Sequence, residues 1–102
     1  MKKAYRSAHP FINKLLKDSE IRVLFQEERI KTQIAETVRS ARIRAGLTQI
    51  ELARLADTTQ AVISRIESGM DSRIPSLSLL ARIAGACKAN LAFSFLFEKK
   101  AA

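Results

Sequence analysis

The stretch "GLTQIELARLADTTQAVISRIESG", Gly46 to Gly69, holds two short apolar-periodic runs separated by a polar knot, "ADTTQ". Thr59, Gln60, Ser64 and Arg65 fall on the outer side of the second run. These side chains offer amide, hydroxyl and guanidinium hydrogen bonds and no nucleophile–base pair. Arginine presents a planar fork that suits phosphate oxygens and guanine edges, whereas lysine acts as a point charge. From Arg39 to Arg82 every cation is an arginine: Arg39, Arg42, Arg44, Arg54, Arg65, Arg73 and Arg82. The chemistry on offer is recognition, not turnover.

The composition agrees. Lys and Arg number 18 against 10 acidic residues, a net charge of +8 and a pI near 10.3. A pI above about 9 on a small domain is the electrostatic footprint of a nucleic-acid binder. Apolar residues make up 47% of 102, enough for one core plus an extension. Cys87 is the only cysteine and His9 the only histidine, so neither an internal disulfide nor a zinc cluster can form, and no metal or cofactor is expected. No Ser/His/Asp set, carboxylate pair or phosphate-cradling glycine loop appears, so no enzyme is expected. Met1-Lys2-Lys3 is not followed by an apolar signal core, and no run reaches the ~20 apolar residues of a membrane span. A cytoplasmic protein without membrane contact is the expectation.

The elements that must position these residues are helical. Residues 1–8 read as a frayed basic arm. A helix can start at Pro10, with Phe11, Ile12, Leu15 and Leu16 on one side. Asp18 and Ser19 offer an N-cap for a second helix. From Ile21 a 3.6-residue period continues through Leu24, Phe25, Ile30, Ile34, Val38 and Ala41 to a stop at Gly46. Thr32 is a further cap candidate, so this stretch is one long helix or two in series. Thr48 with Glu51 forms a capping box that opens a helix over about Gln49 to Ala56. Thr58 or Thr59 caps a helix from Gln60 to Ser68, ended by Gly69. Ser76 caps another from Leu77 to Cys87. The expected core is Leu52, Ala53, Ala56, Val62, Ile63, Ile66, Leu77, Leu80, Ile83 and Ala84, with Cys87 a small core residue. In "LAFSFLF" the period drops to two: Leu91, Phe93, Phe95 and Phe97 alternate with Ala92, Ser94 and Leu96, a strand expected to pair across a homodimer.

Two short helices joined by a tight turn, the second with a polar outer face, predict a helix-turn-helix, whose second helix reads base edges in the major groove. The segments "GLTQIELA", "TTQAVISRIESG" and "PSLSLLARIAGA" resemble the Cro/cI-type (XRE) helix-turn-helix family across residues 34–86. The resemblance implies an all-α, five-helix, lambda-repressor-like domain over residues 32–89, dimeric on a palindromic double-stranded operator. It leaves 1–31 as an N-terminal helical extension and 90–102 as a C-terminal strand and tail. By resemblance, Gln49 anchors a phosphate, with Thr48 near the backbone. Gln60 occupies a base-reading position, where glutamine pairs with adenine N6/N7, and Ala61 is placed to meet a thymine methyl. Ser64 and Arg65 lie one turn on. Arg65 is the candidate for guanine O6/N7, with a phosphate-only contact the alternative. Ser68 and Arg73 are placed toward phosphates. Thr59 reads first as a cap and second as a base contact. Arg42 and Glu67 occupy positions that pair structurally. Four residues depart from the family pattern: Asp57 replaces the turn glycine, Ala56 and Thr58 are smaller than usual, and Lys88 stands where glycine often ends the last helix.

"FINKLLKDSEIRVLFQEERIKTQIAE" before the domain and "NLAFSF" after it are similar to HigA-type antitoxins. That likeness implies a repressor of its own operon that also neutralises a small HigB/RelE-like ribonuclease toxin. The toxin contacts would be Phe11, Ile12, Leu15, Leu16, Val23 and Leu24. Two alternatives stay open: the extension packs on its own domain or on a second protomer, or the chain is a stand-alone phage-repressor-like regulator without a toxin.

Overall fold

The computed structural model describes residues 10–97, the side chain of Leu16 excepted; the expected basic arm at 1–8 lies outside these residues. Four helices follow in order: α1 Pro10–Arg44, α2 Gln49–Leu55, α3 Gln60–Ser68 and α4 Leu77–Ala86. Among the described residues there are four helices, where five plus an extension were expected. Residues expected to form separate N-terminal helices are fused into α1, whose 35 residues span about 50 Å at 1.5 Å per residue. Asp18, Ser19 and Thr32 start no helix. Thr32 instead donates its hydroxyl back to the Glu28 carbonyl at 3.2 Å, the usual mid-helix use of a threonine hydroxyl. No glycine, and no proline after Pro10, interrupts the stretch, so no cap outcompetes the continuing helix. It crosses the expected 31/32 boundary unbroken.

The other starts fall where sequence placed them. Thr48 accepts the Glu51 amide at 3.1 Å and gives its own amide to the Glu51 carboxylate at 2.9 Å, a complete capping box. That backbone hydrogen bond holds the Glu51 carboxyl below the usual carboxylate range. Thr59, not Thr58, caps α3 by accepting the Val62 amide at 3.3 Å. Ser76 caps α4 by accepting the Leu79 amide at 3.1 Å.

Three helix ends share one wrapped geometry. After α1, the Leu47 amide reaches the Arg42 carbonyl and Gly46 that of Ile43. After α2, Thr58 reaches Ala53 and Asp57 reaches Arg54; after α4, Ala89 reaches Ala84 and Lys88 reaches Gly85. Each needs a left-handed residue. Gly46 supplies it at φ 71°, but Asp57 and Lys88 adopt φ 55° and 58° without glycine's freedom. The turn inside the helix-turn-helix thus survives its aspartate.

α3 packs against both α1 and α2, with α4 closing the bundle against α2 and α1. The core is Val38, Leu52, Ala53, Ala56, Ile63, Ile66 and Ile83, edged by Ile34, Leu47, Val62, Leu79, Leu80, Ala86 and Cys87. Leu77, expected inside, is exposed: as the first residue of α4 it precedes the turn that meets α2. Residues 91–97 form no strand. Leu91, Phe93, Phe95 and Phe97 keep the alternation of a strand, but among the described residues no second segment supplies a ladder, and all four are exposed.

Candidate nucleic-acid interface

The Thr59 cap holds the first turn of α3 and so sets where its outer residues project. Gln60, Ala61, Ser64, Arg65 and Ser68 are all exposed, while Ile63 and Ile66 on the opposite side are buried. The helix is anchored by its apolar stripe and leaves one polar face available. Gln60 and Ala61 lie at its front, with Ser64 and Arg65 one turn behind.

The back of α3 is fastened by charge. Glu67 accepts Arg42 Nε at 2.7 Å on one oxygen and Arg42 Nη2 at 2.9 Å on the other, the bidentate fork of an arginine–carboxylate pair. Arg42 Nη1 also donates to the Leu47 carbonyl at 3.0 Å. The side chains are 16% and 5% exposed, so the pair is largely withdrawn from water. The hydrogen bond to Glu67 holds the Arg42 guanidinium above its ordinary pKa, against the opposing effect of burial. The expected pairing of Arg42 with Glu67 is present, and it has a third member: Gln49 Nε2 donates to Glu67 Oε1 at 3.3 Å. One carboxylate thereby joins the end of α1, the start of α2 and the last turn of α3. One amide hydrogen of Gln49 remains for an outside acceptor such as a phosphate oxygen.

Ser68 is exposed in the last turn of α3. Its hydroxyl donates to the Arg65 carbonyl at 2.8 Å and accepts the Met70 amide at 3.2 Å, so it builds the turn after α3. Thr48 and Thr59 likewise spend a hydroxyl lone pair on caps. Arg73 stands in the loop between α3 and α4, its amide held by the Asp71 carboxylate at 3.1 Å. Arg65 and Arg73, eight positions apart in sequence, both line one open cleft of about 410 Å3, with Asp71.

Two contributors escaped the reading of the sequence. Asp71 tempers the charge of that cleft. Arg82 donates Nε to the Ala56 carbonyl at 2.9 Å and Nη1 to the Ser78 hydroxyl at 3.1 Å, tying α4 to the end of α2. The Ser78–Arg82 spacing of one helical turn was visible; the reach across to Ala56 was not. Among the described residues no His, Cys, Asp or Glu group is arranged to hold a metal ion, and no helix is long and apolar enough to cross a membrane.

A capped pair of short helices, a left-handed turn and a second helix with an exposed polar face define a helix-turn-helix DNA-binding domain. A family model described as helix-turn-helix matches residues 38–93, and the chain belongs to that family, in its XRE type. No curated protein shows a significant match to the chain.

Proposed function

We propose that the protein is a sequence-specific transcriptional repressor that binds a palindromic operator as a homodimer, reading bases with Gln60, Ala61 and Arg65 and gripping phosphates through Gln49, Thr48 and Arg73. The observation that carries this reading is the outer face of α3, polar and exposed on a helix held by its cap, its buried stripe and the Arg42–Glu67 fork. It acts in the cytoplasm and has no catalytic activity of its own. The test is operator selection from a random DNA library, followed by Gln60→Ala and Arg65→Ala. Each variant lowers specific affinity by ~1–3 kcal/mol and relaxes preference at one position. If both bind the selected site unchanged, α3 is not the reading helix.

The second part of the proposal is that the chain is an antitoxin. The support is the likeness to HigA-type antitoxins together with the first half of α1, where Phe11 (72%), Leu15 and Leu24 are strongly exposed and Ile12 and Val23 partly so. Exposed apolar residues in this number mark a partner surface. The partner is a small HigB/RelE-like ribonuclease, and Glu27 and Glu28 offer its basic surface local carboxylates. Pull-down of the full chain beside one starting at Lys31 tests this. A stoichiometric small protein lost on truncation supports the antitoxin; a bare homodimer from both leaves a stand-alone regulator.

A further inference from the structure

Phe25, Gln26, Arg29 and Gln33 follow Arg22 at spacings of three, four, seven and eleven residues, which on a helix is one face. All five are exposed. From Arg22 to Gln33 this face of α1 runs about 16 Å at 1.5 Å per residue. Across from it stand Ser94, Phe95, Leu96 and Phe97, and the two sides border an open cleft of about 990 Å3. The acids on the same stretch of α1 lie elsewhere. Glu27 and Glu28 line no part of the cleft, and Glu28 is held by Lys31 Nζ at 3.0 Å.

The lining makes two demands at once. Phe25, Phe95 and Phe97 are 72–92% exposed, rings with no cover of their own. Beside them, among the described residues, the only ionised side chains lining the cleft are Arg22 and Arg29. A purely apolar partner would strip both guanidiniums of water and give nothing in return. A purely anionic one would leave the rings wet. A single-stranded nucleic acid meets both demands, since every base has a π-face to stack and every nucleotide carries a phosphate. A duplex keeps its bases stacked inside and cannot lay them on the phenylalanines. Beyond Phe97 the sequence continues with Glu98, Lys99 and Lys100, a balance of one positive charge.

We propose that this cleft is a second nucleic-acid site, one that takes a single strand. Bases stack on Phe25, Phe95 and Phe97, and the backbone phosphates run past Arg22 and Arg29. Gln26 and Gln33 offer amides that can both donate to and accept from base edges. No residue of α2 or α3 lines the cleft, so the site does not depend on the reading of the helix-turn-helix. Stacking tolerates any sequence, so binding here is broad where binding through α3 is selective. Val23 and Leu24 line no part of the cleft either, so the partner surface proposed above shares α1 with this site without sharing residues.

Fluorescence anisotropy of the full chain with labelled oligothymidylate, oligouridylate and an abasic strand of equal length tests this. The strands that carry bases bind roughly fivefold or more tighter than the abasic one. Phe25→Ala and Phe95→Ala remove that advantage and leave the salt dependence as it was. Arg29→Gln keeps the advantage and flattens the slope of log K against log salt by about 0.7, one phosphate contact. All three residues are exposed, so the changes spare the fold, and circular dichroism checks it. None of the three weakens binding of the duplex operator, which separates this site from α3. Tighter binding of uridylate names RNA as the ligand, tighter binding of thymidylate names DNA, and equal binding names either strand; each supports the site. An abasic strand bound as tightly as the others leaves charge alone, and the inference falls. It falls too if base-dependent binding survives both phenylalanine changes; loss of that binding in Gln60→Ala, Arg65→Ala would then place the strand on α3. If the phenylalanine changes alter only the oligomeric state in sedimentation, a second copy of the chain occupies the cleft, and the inference is overturned.

Discussion

Removing the Glu67 side chain is the sharpest test of how this domain is held together. In Glu67→Ala the Arg42 guanidinium keeps its place, 16% exposed, but loses both short hydrogen bonds at 2.7 and 2.9 Å and its counter-charge. Taking one partner from a buried ion pair costs about 3–5 kcal/mol, because the other is left buried and uncompensated. Arg42 retains the Leu47 carbonyl and some access to water, so the expected loss is about 2–4 kcal/mol. Small domains hold only about 5–15 kcal/mol in all, so the change is large. Urea unfolding followed by circular dichroism measures it: at a slope of about 1–2 kcal/mol per molar, the midpoint falls by roughly 1–4 M. The double variant Arg42→Met, Glu67→Leu is the control. It replaces the pair with apolar groups of similar size and regains most of the loss, since the penalty is an orphaned charge and not a missing attraction. A Glu67→Ala unfolding free energy within about 0.5 kcal/mol of wild type refutes the fastening role. A double variant as unstable as the single one refutes the orphaned-charge account.

Other expectations follow from the same geometry. Ile63→Ala, at a side chain with no exposure, destabilises the domain by about 2–5 kcal/mol in urea unfolding, while Ser64→Ala on the outer face leaves stability within about 0.5 kcal/mol. Glu51 has its folded pKa lowered from 4.5, so its contribution is present above that value and lost as pH falls through the folded one. The midpoint gap between wild type and Glu51→Gln therefore closes in acid; a gap that stays constant counts against the capping box as its source. Burial pushes the Cys87 thiol above its ordinary value of 9.0, so the neutral thiol is favoured in the fold and that contribution is lost as pH rises through the folded value. At mildly alkaline pH an aromatic disulfide reagent reacts more slowly with the native chain than with the urea-unfolded one; equal rates would place Cys87 outside the core.

Local rules carried far along this chain because they act between neighbours. Thr48 with Glu51, Thr59 with Val62 and Ser76 with Leu79 are caps three residues apart, and each helix start they announce is present. The buried positions Leu52, Ala53, Ala56, Ile63, Ile66 and Ile83 follow from the helical period alone. The polar outer positions Gln60, Ser64 and Arg65 follow from that same period, seen from the other side. Where several local signals competed, sequence alone was undecided or misleading. Asp18, Ser19 and Thr32 each resemble a helix start, yet an unbroken ladder satisfies more backbone groups than a cap that interrupts it. The strand pattern at 91–97 is a statement about a neighbour, and a strand exists only where a second segment supplies the ladder. Separations of 25, 18 and 26 residues divide Arg42 from Glu67, Gln49 from Glu67 and Arg82 from Ala56. The first pairing entered through resemblance to a family; the other two had no local signature. Sequence by itself determined which residues cap, which bury and which face outward, because one turn of helix is enough to decide them. Only the tertiary structure decided that a single carboxylate, Glu67, serves three elements and that Arg65 and Arg73 line the same cleft, because those placements depend on how whole helices come to lie against one another.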